Sequence, residues 1–122
     1  MTRTTLALLL FLAASVTALA ADVTGTWKGI FHTREGGEFE TILVLKANGD
    51  ALTGTLTQGK SAARDIEEGK VTGDEISFAI TYKSEKATRK LLYTGKLEGN
   101  QLKTVSTYEG ATRKSEIVFD RQ

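Results

Sequence analysis

Apolar and polar residues alternate along most of this chain with a period of two. That period belongs to half-buried strands, because successive strand side chains point to opposite faces. Helical spacing is almost absent after residue 20. The alternation predicts eight strands, over residues 23–33, 38–46, 51–57, 66–72, 75–83, 88–98, 101–109 and 111–121. Between them stand Asn48-Gly49-Asp50, Gly73-Asp74 and Gly99-Asn100. These pairs supply the positive φ angles of tight hairpin turns. The stretch 58–64 is polar and reads as a solvated loop, with one helical turn over 61–65 as the other option. Strand 66–72 has a broken phase, since Ile66 and Val71 are both apolar, and this predicts a bulge near Gly69.

Short sequential hairpins favour an antiparallel meander, and eight strands of meander close into an up-and-down barrel. A two-sheet sandwich is the other all-β architecture for this length. Setting the single Trp, Trp27, inward fixes the phase of the first strand and places Gly25, Gly29, Phe31 and Thr33 beside it. The matching inward sets begin with Phe39, Thr41, Leu43 and Leu45, then Leu52, Gly54 and Leu56. Ile76, Phe78, Ile80 and Tyr82 follow, then Leu91, Tyr93, Gly95 and Leu97. Leu102, Thr104, Ser106 and Tyr108 come next, and the last strand turns in Arg113, Ser115, Ile117, Phe119 and Arg121.

This interior is polarised along the barrel axis. Trp27, Ile117 and Phe119 make one end apolar. Thr33, Tyr82, Ser106, Tyr108, Arg113 and Ser115 gather at the other, and form the candidate ligand-binding group. An amphipathic ligand there would set an anionic head on Arg113 and accept hydrogen bonds from Tyr82 or Tyr108. A water-filled mouth with no ligand is the plain alternative. On the outward phase, Ile30, Ile42, Val44, Val105 and Val118 mark a wall for a possible homodimer, or else residues chosen for strand propensity alone.

The first twenty residues differ in kind. Arg3 is followed by the apolar run 6–14 and by Ala18-Leu19-Ala20, the pattern of a signal peptide cleaved after Ala20. The expectation is one domain, 21–122, secreted or periplasmic, with an uncleaved N-terminal anchor as the alternative. One of the 16 basic residues, Arg3, lies in that leader, which leaves 15 against 15 acidic ones. No basic stripe is present for nucleic acid, and nothing in the expected mature chain points to a membrane. The chain has no Cys and no Pro, so packing and sheet hydrogen bonds must hold it together.

Catalytic chemistry is sparse. His32 is the one His and falls on the outward phase, so neither a zinc site nor a Ser-His-Asp set can be assembled. Glu67-Glu68, with Glu75, could pair carboxylates for glycoside hydrolysis, but reads better as a solvated edge. Gly69-Lys70-Val71-Thr72-Gly73-Asp74-Glu75-Ile76 echoes Gly95-Lys96-Leu97-Glu98-Gly99-Asn100-Gln101-Leu102. Strands, not a helix, follow both, so this is a reused hairpin and not a phosphate loop. The expectation is a non-enzyme without cofactor or metal.

Gly25-Thr26-Trp27 on the first strand, Arg121 on the last and the meander between them resemble the calycin group. That group includes lipocalins, fatty-acid-binding proteins, avidins and a bacterial metalloprotease inhibitor family. The resemblance implies a small secreted barrel in which Arg121 packs over Trp27 to close one end, with Gly25 beside them. It implies a carrier of a small hydrophobic or amphipathic molecule, or a protein-binding, inhibitor-like barrel; a purely structural role is a third option. Gly25-Thr26-Trp27 with Asp50-Ala51-Leu52-Thr53-Gly54-Thr55 also looks like an avidin, but avidins line their site with several Trp residues. Typical lipocalins are longer and carry disulfides and a flanking helix.

Overall fold

The computed structural model describes residues 22–33 and 35–122. The expected leader and its expected cleavage point lie outside the described residues. The strands are β1 (Gly25–His32), β2 (Glu38–Asn48), β3 (Ala51–Gln58), β4 (Arg64–Asp65), β5 (Glu67–Thr72), β6 (Glu75–Lys83), β7 (Thr88–Glu98), β8 (Gln101–Tyr108) and β9 (Ser115–Arg121). No helix occurs among the described residues. β4 and β5 both pair with β3 and are separated only by Ile66, so they act as one interrupted strand. The molecule is thus an eight-stranded antiparallel barrel. It closes where β1 pairs with β9, from Trp27 opposite Arg121 to Gly29 opposite Phe119.

Strands β1, β2, β3 and β8 end or begin one or two residues from the sequence expectation, and two other differences alter the picture. Arg64 and Asp65, expected in a loop, pair with Leu56 and Thr55. The last strand begins at Ser115, not at 111. The cause is local. Gly110 turns the chain at φ 85°, and the Thr107 hydroxyl donates to the Arg113 carbonyl at 2.8 Å. This strap holds 111–114 off the ladder, so Arg113 sits in a loop. The bulge in β5 is present, with Glu68 at φ 54° and a register shift between Glu67 and Lys70.

The tight turns form by a single mechanism. Gly49, Gly73 and Gly99 have φ of 65°, 62° and 64°, while Asp50, Asp74 and Asn100 after them do not take positive φ. Glycine first and an ordinary residue second is the pattern of a type II′ turn, whose twist matches the flanking strands. The internal echo is therefore one hairpin design used twice. All three turns lie at one end of the barrel. Inside the wall, Gly54 sits at φ 152°, and a Cβ there would lie 1.9 Å from the Val44 carbonyl oxygen.

The inward phases hold along β1–β3 and β6–β9, except that Arg113, expected inward, is exposed in the loop before β9. Trp27, Leu43, Leu56, Ile80, Leu102 and Phe119 are each fully buried. A buried Trp covers about 150–250 Å², which at ~25 cal/mol/Å² contributes about 4–6 kcal/mol. Trp27 is also held by two polar contacts, one at its N–H and one over its ring. Its indole N–H donates to the Val23 carbonyl at 3.0 Å, and the Arg121 guanidinium lies 4.4 Å from its ring centroid. Arg121 further donates to the carbonyls of Thr24 (3.1 Å) and Asp22 (3.0 Å), tying the chain before β1 to the end of β9. Gly25 sits where a Cβ would press on that guanidinium at 3.3 Å. This end is closed and filled.

Candidate functional site

The opposite end, where the connections between strands are longer, holds a cup of about 540 Å³ to which the 109–114 loop contributes Ala111 and Arg113. β1 and β2 supply Phe31 and Phe39, a cross-strand pair whose rings stack at 5.0 Å. β6 supplies Tyr82, β7 Leu91 and Tyr93, and β8 Ser106 and Tyr108. Tyr93 stacks on Phe78 at 4.7 Å, so the space beneath the cup is already occupied by side chains.

Of the residues expected to bind a ligand, Tyr82, Ser106, Tyr108, Arg113 and Ser115 all line this cup. Thr33 does not. Its hydroxyl bonds within its own loop, accepting from the Gly37 N–H at 2.9 Å, and its side chain lines a neighbouring surface cleft. Arg113 reaches the cup from the 109–114 loop and is exposed, as the strap from Thr107 requires.

Two further arginines belong to the mouth. Arg89 stacks on Tyr108 at 3.9 Å and lines the cup, and Arg64 stacks on Tyr82 at 4.4 Å. Both were legible in principle. Arg89 is opposite Tyr82 in the ladder, two residues before Leu91 and on its inward phase. Arg64 stands opposite inward-facing Leu56. Among the described residues, none that lines the cup is acidic. Both guanidinium groups sit over tyrosine rings, and neither makes a salt bridge among the described residues, so their N–H groups can serve an anion.

Two of the tyrosine phenols, Tyr93 and Tyr82, are held more firmly in the neutral form. Burial pushes the Tyr93 phenol well above its ordinary value, and Tyr82 and Tyr108 nearby reinforce the shift. Tyr82 is raised by burial and by Tyr108, with Arg64 opposing. Neutral phenols donate hydrogen bonds. The Tyr82 hydroxyl is shielded from solvent and has no hydrogen-bond partner among the described residues. An unmet buried hydroxyl costs about 1–3 kcal/mol.

The other candidate groups have local roles. Glu67 accepts from the Thr81 hydroxyl at 2.6 Å, and Glu68 pairs with Lys90, so both carboxylates pin the bulge. His32 pairs with Glu38 across β1 and β2 at 3.1 Å, on the outer surface. No group of three metal-ligating side chains converges among the described residues. No family model matches the chain, and no curated protein matches it. What the geometry supports is the architecture alone, a closed antiparallel barrel compatible with a calycin-like fold.

Proposed function

We propose that this is an exported, lipocalin-like binding barrel whose cup takes a compact amphipathic anion, its apolar part an aromatic ring or a short branched chain. The observation that carries the reading is the pairing of an aromatic cup with arginines at its mouth and no acid in its lining. Stacked aromatics offer flat apolar walls, Arg89 and Arg113 offer charge-assisted hydrogen bonds, and the tyrosine hydroxyls offer donors. The filled interior below Tyr93 argues against a long acyl chain lying along the barrel axis. Binding rather than catalysis fits a cup whose lining holds neither a nucleophile–base pair nor a carboxylate pair.

The test uses two fluorescent probes of similar size, anilinonaphthalene sulfonate and its uncharged analogue phenylnaphthylamine. The sulfonate is expected to bind at least about tenfold more tightly, a difference one charge-assisted hydrogen bond can supply. Arg113→Ala should remove most of that preference while leaving the melting temperature in place. Equal affinity for the two probes, or an unchanged preference in Arg113→Ala, would refute the anion site. Mass spectrometry under native conditions, on protein taken from its own source, then identifies a co-purifying ligand.

A further inference from the structure

The outer wall carries three exposed β-branched residues, Ile30, Val44 and Val118, at 45%, 42% and 45% of full exposure. Two of them, Ile30 and Val118, flank the line where β1 meets β9. There the ladder is short. It runs from Trp27 opposite Arg121 to Gly29 opposite Phe119 and then stops. Continuing the same register sets Ile30 opposite Val118 and His32 opposite Glu116. These four, with Lys28 and Asp120, line one outer groove of about 500 Å³.

The order of residues across this wall follows from the register. One row reads Glu40, Ile30, Val118, Lys103. The next row down has Lys28 opposite Asp120, and the continued register sets His32 against Glu116 in the next row up, both lining the groove. Across the seam Ile30 thus faces Val118, Lys28 faces the oppositely charged Asp120, and the His32 imidazole faces the Glu116 carboxylate, to which a ring N–H can donate. Such a face is complementary to itself under one operation only, a two-fold axis lying along the strands between β1 and β9.

We propose that this face is a homodimer interface built on that axis. Ile30 then meets the partner's Val118, Lys28 meets the partner's Asp120, His32 meets the partner's Glu116, and Glu40 meets the partner's Lys103. Two-fold symmetry makes each contact twice. The side-chain lengths suit two convex barrels touching along a line, with Ile and Val at the centre and the longer Glu40 and Lys103 reaching across at the flanks. A two-fold axis running across the strands would instead set Asp120 against the partner's Glu116, acid on acid. The existing pairs Lys28–Glu40 (4.0 Å) and Lys103–Glu98 (3.4 Å) are exposed and weakly held, so they can be exchanged.

Charge swapping tests the axis itself. Sedimentation equilibrium is run on residues 21–122, whose sheet closes on itself, from about 10 µM to about 1 mM, a range that captures weak association. The wild-type mass is expected to rise from monomer to dimer. Lys28→Asp alone and Asp120→Lys alone each place like charges across the axis, and each should lose at least about tenfold in association. Their equimolar mixture should dimerise again, because the aspartate introduced in one protein then faces the lysine introduced in the other. A wild-type monomer throughout overturns the proposal. So does a wild-type dimer whose swapped variants fail to recombine, or associate as well as it does. If either variant does not melt cooperatively, Glu40→Lys mixed with Lys103→Glu poses the same question one strand further out.

Discussion

The same eight strands end in two different ways. At one end three type II′ turns draw neighbouring strands together, and Trp27, Val23 and Arg121 fill what is left. At the other end four longer connections hold the strands open, and arginine sits on tyrosine where the closed end has arginine on tryptophan. The contact type is shared, but its surroundings differ. Arg121 uses its N–H edges on the carbonyls of Thr24 and Asp22, so its hydrogen bonds are taken up by the fold. Arg89 and Arg64 have no such carbonyl partners among the described residues; Arg89 lines the cup and Arg64 a small cleft beside Tyr82. One end uses its polar groups for stability, and the other keeps them available.

Four measurements break or sharpen this contrast. The largest effect belongs to Trp27→Ala, expected to cost about 3–5 kcal/mol in urea unfolding, enough to unfold a marginal barrel. A loss under about 1 kcal/mol would mean the closed end is not where stability resides. Arg121→Ala comes next, at about 1–3 kcal/mol, from the ring contact and two carbonyls left without a donor. Arg121→Lys should recover only part of it, since an ammonium cannot serve both carbonyls while lying flat on the indole.

The third effect is alkaline. Tyr93 ionises in the unfolded chain near its ordinary value of 10.0 but is held neutral well above that in the barrel. Its contribution is whole below pH 10 and is lost as the pH climbs from there toward the raised folded value. Stability should therefore fall on the alkaline side, and Tyr93→Phe should flatten that slope. The smallest effect is at the mouth. Tyr82→Phe removes a hydroxyl that has no partner, so melting should be unchanged or stability raised by about 1 kcal/mol or less. The same change should weaken the sulfonate probe, and a destabilised Tyr82→Phe would place an unseen partner on that hydroxyl.

The closed end was the more legible of the two in the sequence. A period-two pattern needs only one anchored residue to set every phase, and inward Trp27 did that correctly from β1 to β9. Tight turns were equally plain, because only certain residues tolerate their angles. The mouth was harder for a physical reason. Its inward positions are wet, so polarity no longer separates inside from outside, and Arg89 reads like any surface charge at a strand start. Arg113 was placed on a strand because its parity fitted, while the Thr107 strap that lifts it into a loop depends on a contact between residues six apart. The early end of the β1–β9 ladder leaves no mark in the local pattern at all, since pairing is a property of two strands.

The placement of the turns also bears on how this chain can change length. Each connection at the closed end is two residues long and angle-restricted, so an inserted residue there would shift register and turn a strand's core face outward. Connections at the mouth carry no such constraint. Doubling a flexible loop adds only about 0.6 kcal/mol of closure entropy. Insertions therefore accumulate harmlessly on one side of this molecule and destructively on the other. A library with randomised, lengthened loops at 33–37, 59–63, 84–87 and 109–114 would vary the recognition surface over an unaltered frame.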